Sequence, residues 1–226
     1  MGKLKLTFEE ICAKIYIGEH FTLARVGDGE WRAICGRDGE NCDGHKYFPD
    51  MGKELANIVI KNPEYYLASH LLSSDVDRSE IEKWQKENNI KVNWACTSGI
   101  FHESFVSNKM DLFFKSLKGK KVCLVAPSFI IKNNKKIDAY SHVKVSEKNC
   151  WNETDSTMSS LVCIINSENP PDIILFCASM AANVWIDRLY EIAGESITLI
   201  DLGSTLDPYC GILSRSFHRK NIHLIK

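Results

Sequence analysis

The sequence RVGDGEW, residues 25–31, follows the apolar run FTLA and precedes a segment with helical spacing. It therefore lies where a β-strand is predicted to lead into a helix. Asp28 and Glu30 are two carboxylates one residue apart, each preceded by a glycine. In an extended segment, residues i and i+2 project to the same side, so both carboxylates would converge on one cation; in a helix they would lie about 200° apart. Gly27 and Gly29 permit φ > 0 and leave room for a ligand.

The residue types in this motif predict a metal-dependent phosphate site. Carboxylate oxygens suit Mg²⁺ or Mn²⁺, and such ions usually also bind substrate phosphates. Arg25 adds a planar fork that fits a phosphate or a carboxylate. The alternative is structural: Asp28 caps a helix, Glu30 complements the helix dipole, and Arg25 is an ion-pair partner. The spacing alone leaves both interpretations open.

Residues 25–30 resemble the R-x-GDGE signature of the GT-D-fold glycosyltransferases, whose D-x-E motif serves a metal-dependent nucleotide-sugar site. Residues 173–182 and 199–204 are similar to the C-terminal part of the same family, in which a strand, a small-residue turn and a helix precede a strand ending in I-D-x-G. The resemblance implies an α/β, Rossmann-like fold with a mainly parallel sheet and helices on both faces. This chain has Ala-Ser-Met at 178–180 where many relatives have a glycine-rich turn, and Ser204 where many have a histidine.

Strand-like and helix-like segments alternate along the chain, which is typical of βα units. The predicted strands are 21–26, 65–69, 92–96, 121–126, 143–145, 172–177 and 197–202. The predicted helices are 7–17, a helix beginning at residue 30, 51–61, 78–88, 101–117, 157–165 and 181–193. Residues 37–50 are predicted to be a mobile polar loop beside the motif.

Polar residues that follow predicted strands are candidate ligand contacts, because the turns after strands of a doubly wound sheet face the ligand. They are Asp201, Ser204 and Asp207 after the last strand, Ser179 and Asn183 after the one before it, and Pro127, Ser128, Ser69 and His70 after two others. Each is alternatively a cap or turn former; Asp207 before Pro208 is typical of a cap and first-turn proline. Asp201 is the strongest candidate, because it belongs to the I-D-x-G pattern.

A transfer that inverts the sugar centre requires a base to accept a proton from the acceptor hydroxyl. His102, Glu103 and Asp207 are candidates by residue type. His102 begins a predicted helix after a strand, although a surface or capping role is an alternative. Trp31 and Tyr47 are aromatic candidates for stacking on a base or a sugar, with a core position as the alternative for Trp31.

Length and composition favour a single α/β domain over residues 1–226. The net charge of −1 argues against nucleic-acid binding by bulk electrostatics. We expect no transmembrane segment and a cytoplasmic location, because no apolar run approaches about 20 residues and the N-terminus lacks a signal-peptide core. The nine cysteines are odd in number and include no C-x-x-C pair, so reduced thiols are expected. Zinc at Cys35, Cys42 and His45 is disfavoured, since they lack a paired spacing.

These observations together predict a metal-dependent glycosyltransferase. It would use Mn²⁺ or Mg²⁺ to transfer a sugar from a UDP- or GDP-sugar to a glycan or glycoconjugate acceptor. An S-adenosylmethionine-dependent methyltransferase is one alternative, because V-G-D-G after a strand also suits the turn that holds that cofactor. The acidic pair weakens this alternative, because S-adenosylmethionine offers neither a diphosphate nor a metal ion for the two carboxylates to bind. The second alternative is a non-catalytic module that binds a nucleotide or a carbohydrate.

Overall fold

The computed structural model describes residues 6–41, 44–69 and 75–225. These residues form a seven-stranded sheet in which every strand pairing is parallel. The strands are β1 (Thr22–Val26), β2 (Tyr66–Ser69), β3 (Cys96–Thr97), β4 (Val122–Pro127), β5 (Ala139–Val145), β6 (Ile173–Phe176) and β7 (Thr198–Asp201). Their order across the sheet is β3-β2-β1-β7-β6-β4-β5.

Helices cover both faces of this sheet. They are α1 (Phe8–Ile17), α2 (Asp28–Ile34), α3 (Pro49–Lys61), α4 (Asp75–Glu87), α5 (Ile100–Val106), α6 (Met110–Ser116), α7 (Ser128–Asn133), α8 (Thr154–Ile165), α9 (Ala181–Ala193) and α10 (Ser216–Lys220). One core holds apolar side chains of α2, α3, α8 and α9, and the other holds those of α1, α5, α6 and α7. The central strands β4 and β6 are buried along their whole length, which explains their continuous apolar runs. The predicted fold class is confirmed.

Strands β1 and β7 are neighbours in the sheet although they are far apart in sequence. Strands β2 and β3 lie on the β1 side of this junction, and β4, β5 and β6 lie on the β7 side. After β1, helix α2 packs Trp31 into one core; after β7, the chain packs Leu206 into the other. Two adjacent strands whose continuations leave to opposite faces open a crevice at the carboxyl edge, the usual ligand site of open α/β sheets. The fold therefore places a site beside residues 25–31.

Several predicted elements have different boundaries. The helix predicted at 101–117 is two helices, α5 and α6, because Asn108 adopts a left-handed conformation with φ of +55°. Asparagine tolerates that region better than most residues, so it breaks the helix at little cost. The prediction at 143–145 found only the end of the seven-residue strand β5, and helix α7 was not predicted.

Among the described residues, none of the helices combines the length and the apolar composition that a membrane span requires.

Candidate functional site

A cleft of about 860 Å³ lies in the crevice between the ends of β1 and β7. Its volume is within the range of about 300–1,000 Å³ that is typical of small-ligand pockets. The cleft brings together ten of the candidates proposed from the sequence as catalytic or ligand-binding: Arg25, Gly27, Asp28, Gly29, Glu30, His102, Glu103, Ser179, Asp201 and Ser204. Residues from four separate parts of the chain therefore meet at one edge of the sheet.

The acidic pair does not have the extended geometry expected from the sequence. Helix α2 begins at Asp28, two residues earlier than predicted, with Gly27 as its N-cap residue. Glu30 folds back so that its Oε2 accepts a hydrogen bond from the Gly27 N–H at 2.9 Å. The Asp28 side chain is 56% exposed and lies 3.3 Å from Arg32. The expectation that both carboxylates share one face of a strand is wrong, because α2 already includes both of them.

The two glycines of the motif serve close packing rather than positive φ. Neither Gly27 nor Gly29 has a positive φ. A Cβ at Gly27 would lie 2.9 Å from Glu30 Oε2, and one at Gly29 would lie 2.2 Å from Asn41 Oδ1. The room that the sequence analysis assigned to a ligand at these two positions is taken by the side chains of Glu30 and Asn41.

Arg25 ties together three parts of the cleft. Its Nε donates to the backbone carbonyl of Asp201 at 2.8 Å, and an Nη atom donates to the carbonyl of Ser98 at 2.7 Å. The same Nε lies 3.2 Å from the Asp201 carboxylate, and the Arg25 side chain is only 14% exposed. A Cβ at Gly203, whose φ is +53°, would lie 2.4 Å from the Arg25 guanidinium. These contacts favour the ion-pair role that the sequence analysis left open for Arg25.

The side-chain amide of Asn183 of α9 pairs with the backbone N–H and carbonyl of Arg25. Its Oδ1 accepts a hydrogen bond from the Arg25 N–H at 2.9 Å, and its Nδ2 donates to the Arg25 carbonyl at 3.1 Å. The same amide lies 3.5 Å from Glu30 Oε1, and Asn183 is 1% exposed. The side-chain amide thus pairs with the end of β1 and connects it to the acidic motif.

The electrostatics of the cleft favour a bound positive charge. Burial, together with the charge of Asp201, raises the pKa of Glu30 to about 7. Burial also raises the pKa of Asp201, against the opposing effect of Arg25. Two carboxyl groups held close together in a desolvated site resist ionising together, and a cation beside them relieves that cost.

The oxygen ligands at the cleft suit a divalent ion that is bound partly by one carboxylate and partly by the phosphates of a substrate. Among the described residues, no three His, Cys, Asp or Glu side chains form a group that could hold a metal ion. Asp28 offers an exposed carboxylate at the cleft, whereas Glu30 already accepts the Gly27 N–H. Mg²⁺ commonly binds through one or two carboxylates, substrate phosphates and water. These residues therefore fit such an ion at Asp28, with Glu30 behind it.

His102 lines the cleft and stacks on Phe217, with ring centroids 3.2 Å apart and planes inclined by 17°. Burial, and then the charge of Arg25, lower the pKa of His102. The neutral imidazole that results can accept a proton. Glu103 lines the same part of the cleft.

Asp207 is placed differently from the other candidates. It is buried, and it does not belong to the lining of the cleft. Its Oδ2 accepts a hydrogen bond from the Ser214 hydroxyl at 2.5 Å. The expected turn is present, because Asp207 precedes a short 3₁₀ helix that begins at Pro208. The carboxylate therefore holds the following segment rather than facing the cleft.

Trp31, Tyr47, Pro127 and Ser128 lie outside the cleft. Trp31 is a core residue whose Nε1 donates to Ser69 Oγ at 3.2 Å, and Tyr47 is buried beside Asn41. Pro127 and Ser128, at the end of β4, do not line it. His70, and Cys42 of the disfavoured zinc site, lie outside the described residues.

Sequence reasoning missed several parts of the lining, and two of them contribute polar side chains from loops beyond the proposed positions. Asn41 belongs to the loop after α2, and residues 214–219 follow the last strand. The signal for the second part was available, because any polar segment after the last strand of a parallel sheet lies near its carboxyl edge. For Asn41 the signal was its place in the polar loop predicted at 37–50 beside the motif, but its packing on Gly29 could not be predicted.

The fold and the site define an α/β protein with a ligand cleft at the topological switch point of a parallel sheet. No protein-family model and no curated protein matches the sequence. Three solved structures share its fold. The first is described as a highly conserved domain of unknown function 1792 with a distinct glycosyltransferase fold; it is 18% identical with a TM-score of 0.66, over 92% of this chain and 80% of that chain.

The second solved structure is a selenomethionine form of the domain of unknown function 1792, 18% identical with a TM-score of 0.64, over 92% of this chain and 80% of that chain. The third is described as a new glycosyltransferase of the same domain type from Streptococcus sanguinis; it is 14% identical with a TM-score of 0.65, over 92% of this chain and 84% of that chain. This chain therefore has a glycosyltransferase fold, as the resemblance of the R-x-GDGE motif implied.

Proposed function

We propose that the protein is a glycosyltransferase that takes a sugar from a UDP- or GDP-sugar and transfers it to a glycan or glycoconjugate acceptor. One observation carries the proposal: in a chain with a glycosyltransferase fold, the cleft at the switch point collects Asp28 and Glu30 together with arginines. A sugar nucleotide carries a diphosphate that needs positive charge, from a cation or from arginine, on its oxygens.

In this reaction the bond between the anomeric carbon and the diphosphate oxygen breaks, and its electron pair stays on the diphosphate. The acceptor oxygen forms the new bond to the anomeric carbon and loses its proton. Asp28 would hold a divalent ion, and that ion would supply neutralisation of the negative charge that grows on the leaving diphosphate. Glu30 holds the start of α2 through the Gly27 N–H and so fixes the direction of Asp28.

For a transfer that inverts the sugar centre, we assign the proton acceptor to His102. It lines the cleft, and its lowered pKa keeps it neutral near pH 7. Asp207 is not used for this step, because its carboxylate accepts a hydrogen bond from the Ser214 hydroxyl and does not line the cleft. Arg25 has a positioning role through Asp201 and Ser98.

The methyltransferase alternative loses support from the geometry of residues 27–30. A glycine-rich turn that holds S-adenosylmethionine requires open space at its glycines. Here Glu30 fills the space at Gly27, and Asn41 fills the space at Gly29.

The test is release of UDP or GDP from a panel of sugar nucleotides, measured with Mn²⁺ or Mg²⁺ and with a chelator. We expect metal-dependent release, and a loss of at least about 100-fold in Asp28→Asn, since stabilising the leaving group contributes several kcal/mol. Asp155→Asn is the matched control, because Asp155 is an exposed carboxylate on α8 outside the cleft. Full turnover in Asp28→Asn, or no nucleotide release from any donor, would contradict the proposal. Product formation with an acceptor then separates an enzyme from a binding module.

A further inference from the structure

Helix α7 and the segment after the last strand pack together and form one basic surface. The Cys210 thiol donates to the Ile130 carbonyl at 3.8 Å, and Phe217 and Ile225 pack against the core that also holds Ile130. Residues 128–137 and 208–225 contain six lysines and arginines and no aspartate or glutamate. A chain whose net charge is −1 therefore concentrates positive charge on these two segments, which we call the basic surface.

The cations of the basic surface face solvent without carboxylate partners. Four of them are exposed: Lys132, Lys135, Arg219 and Lys220. Within the described part of the chain none of these four forms an ion pair, whereas the exposed Lys61 and Lys109 pair with glutamates. The exposed carboxylates at the border are Asp111, whose charge acts on Tyr209, and Asp138, which follows Ile137. Six cations beside two carboxylates leave a net positive charge.

An exposed isoleucine lies among these cations. Ile222 is 53% exposed, and in the sequence it lies between Lys220 and His223. Its neighbours Phe217 and Ile225 pack against the core, so the segment is held at both ends while Ile222 faces outward. Exposed apolar side chains next to lysine and arginine are the combination with which proteins bind the surface of an anionic bilayer.

The basic surface is continuous with a wall of the cleft. Residues 214–219 line the cleft, and Arg219 therefore belongs to both. The rings of Phe105 and Phe217 are 6.3 Å apart, and those of Phe105 and Tyr209 are 5.9 Å apart. The Lys136 Nζ lies 5.4 Å from the centroid of Tyr209. A layer of aromatic rings thus joins the two segments and supports the cations above it.

We propose that the basic surface binds the anionic surface of a phospholipid bilayer, with Ile222 entering the headgroup layer. Lipid phosphates supply the negative charge that the exposed cations lack within the protein. Each Lys or Arg close to such a surface strengthens binding by about fivefold, and the effect weakens as salt screens the charges. The inference does not depend on the proposed function, because binding to a bilayer requires no sugar nucleotide.

The test is co-sedimentation of the full chain with vesicles of phosphatidylcholine mixed with phosphatidylglycerol, with pure phosphatidylcholine vesicles as the neutral reference. We expect binding to the mixed vesicles alone, and its loss between about 0.1 M and about 0.5 M NaCl. The double variant Lys135→Gln and Lys220→Gln should weaken binding by about 10- to 30-fold. Neither residue lines the cleft, so release of nucleotide from a donor should not change.

The matched control removes the same charge from the opposite face of the sheet. Lys53 of α3 and Lys86 of α4 are exposed, and their helices pack against the other core. The double variant Lys53→Gln and Lys86→Gln should weaken binding by less than about threefold. No binding of wild type to the mixed vesicles would overturn the inference. Equal losses in the two double variants would also overturn it, because net charge alone would then explain the binding.

Ile222 distinguishes a bilayer from any other polyanion. Ile222→Ser should weaken vesicle binding by about 3- to 10-fold, because an apolar side chain no longer enters the headgroup layer. Ile192→Ser is its control, since Ile192 is also 53% exposed and lies on α9, which packs against the other core. Undiminished binding in Ile222→Ser would show that the surface attracts anionic polymers in general, and would overturn the assignment to a bilayer.

Discussion

Arg25 and Asp201 join the carboxyl ends of β1 and β7, with the Arg25 Nε 2.8 Å from the Asp201 carbonyl and 3.2 Å from its carboxylate. The Asp201 side chain is 4% exposed and that of Arg25 is 14% exposed, so both charges are largely removed from water. The pair lies at the junction between β1 and β7, from which the two halves of the sheet extend in opposite directions. It therefore fixes the part of the fold on which the cleft depends.

Replacing Arg25 should destabilise the protein strongly. Arg25→Met leaves the Asp201 charge buried without its partner, and we expect the free energy of unfolding to fall by about 3–5 kcal/mol. Urea denaturation measures this change, with the exposed-pair variant Arg78→Gln as a control expected to lose less than about 1 kcal/mol. A loss in Arg25→Met no larger than that of the control would show that the pair does not support the fold.

Glu30 should make stability depend on pH. Its pKa in the folded protein is raised from 4.5 to about 7, so folding favours the protonated carboxyl. This contribution is fully present below pH 4.5 and is lost as the pH rises through about 7. Glu30→Gln cannot ionise, so in buffer with a chelator it should match wild type near about pH 4 and exceed it by about 2–3 kcal/mol above about pH 8.

The measurement is the unfolding free energy of both proteins across that pH range. Glu82→Gln is the matched control, because Glu82 is exposed on α4. Parallel curves for wild type and Glu30→Gln would show that Glu30 is not desolvated in the folded protein.

Gly29 should tolerate a side chain only if Asn41 gives way. The Cβ of Gly29→Ala would lie 2.2 Å from Asn41 Oδ1, and the Asn41 N–H is bonded to the His45 carbonyl at 2.8 Å, which limits its movement. We expect Gly29→Ala to cost about 1–3 kcal/mol through overpacking. In Asn41→Ala the same substitution should cost at least about 1 kcal/mol less. Additive losses in a double-mutant cycle would mean that the two residues do not touch.

Ser179 should become more favourable as glycine. Its φ of +51° lies in the left-handed region, where a Cβ is strained. We expect Ser179→Gly to raise the free energy of unfolding by about 0.5–1 kcal/mol, after allowing for the greater freedom of glycine in the unfolded chain. Ser160→Gly in α8 is the matched control and should lower it by about 0.5 kcal/mol, because glycine is a poor helix residue. The same sign of change in both variants would contradict the conformational argument.

The sequence was sufficient for the fold because strands such as β4 and β6 are continuous apolar runs that alternate with helices. It was also sufficient to place the cleft, since polar residues after parallel strands meet at one edge. Local geometry was harder to predict. A glycine before an acidic residue is compatible with both a turn and a helix start, and only the bond from Gly27 to Glu30 separates the two.

Contacts between distant segments could not be predicted in the same way. Asn183 pairs with the backbone of Arg25 across 158 positions, and its role depends on how α9 packs against β1. Arg215 reaches Ser204 because the segment after β7 folds back over the cleft. Neither contact leaves a periodic pattern in the sequence.

The most direct test of the account is a crystal structure with Mn²⁺ and UDP or GDP bound. The account predicts an ion in contact with the Asp28 carboxylate and a diphosphate beside that ion in the cleft between β1 and β7. Nucleotide density outside the cleft between β1 and β7, for example in the open hollow along α8 beside Met158 and Val162, would contradict it.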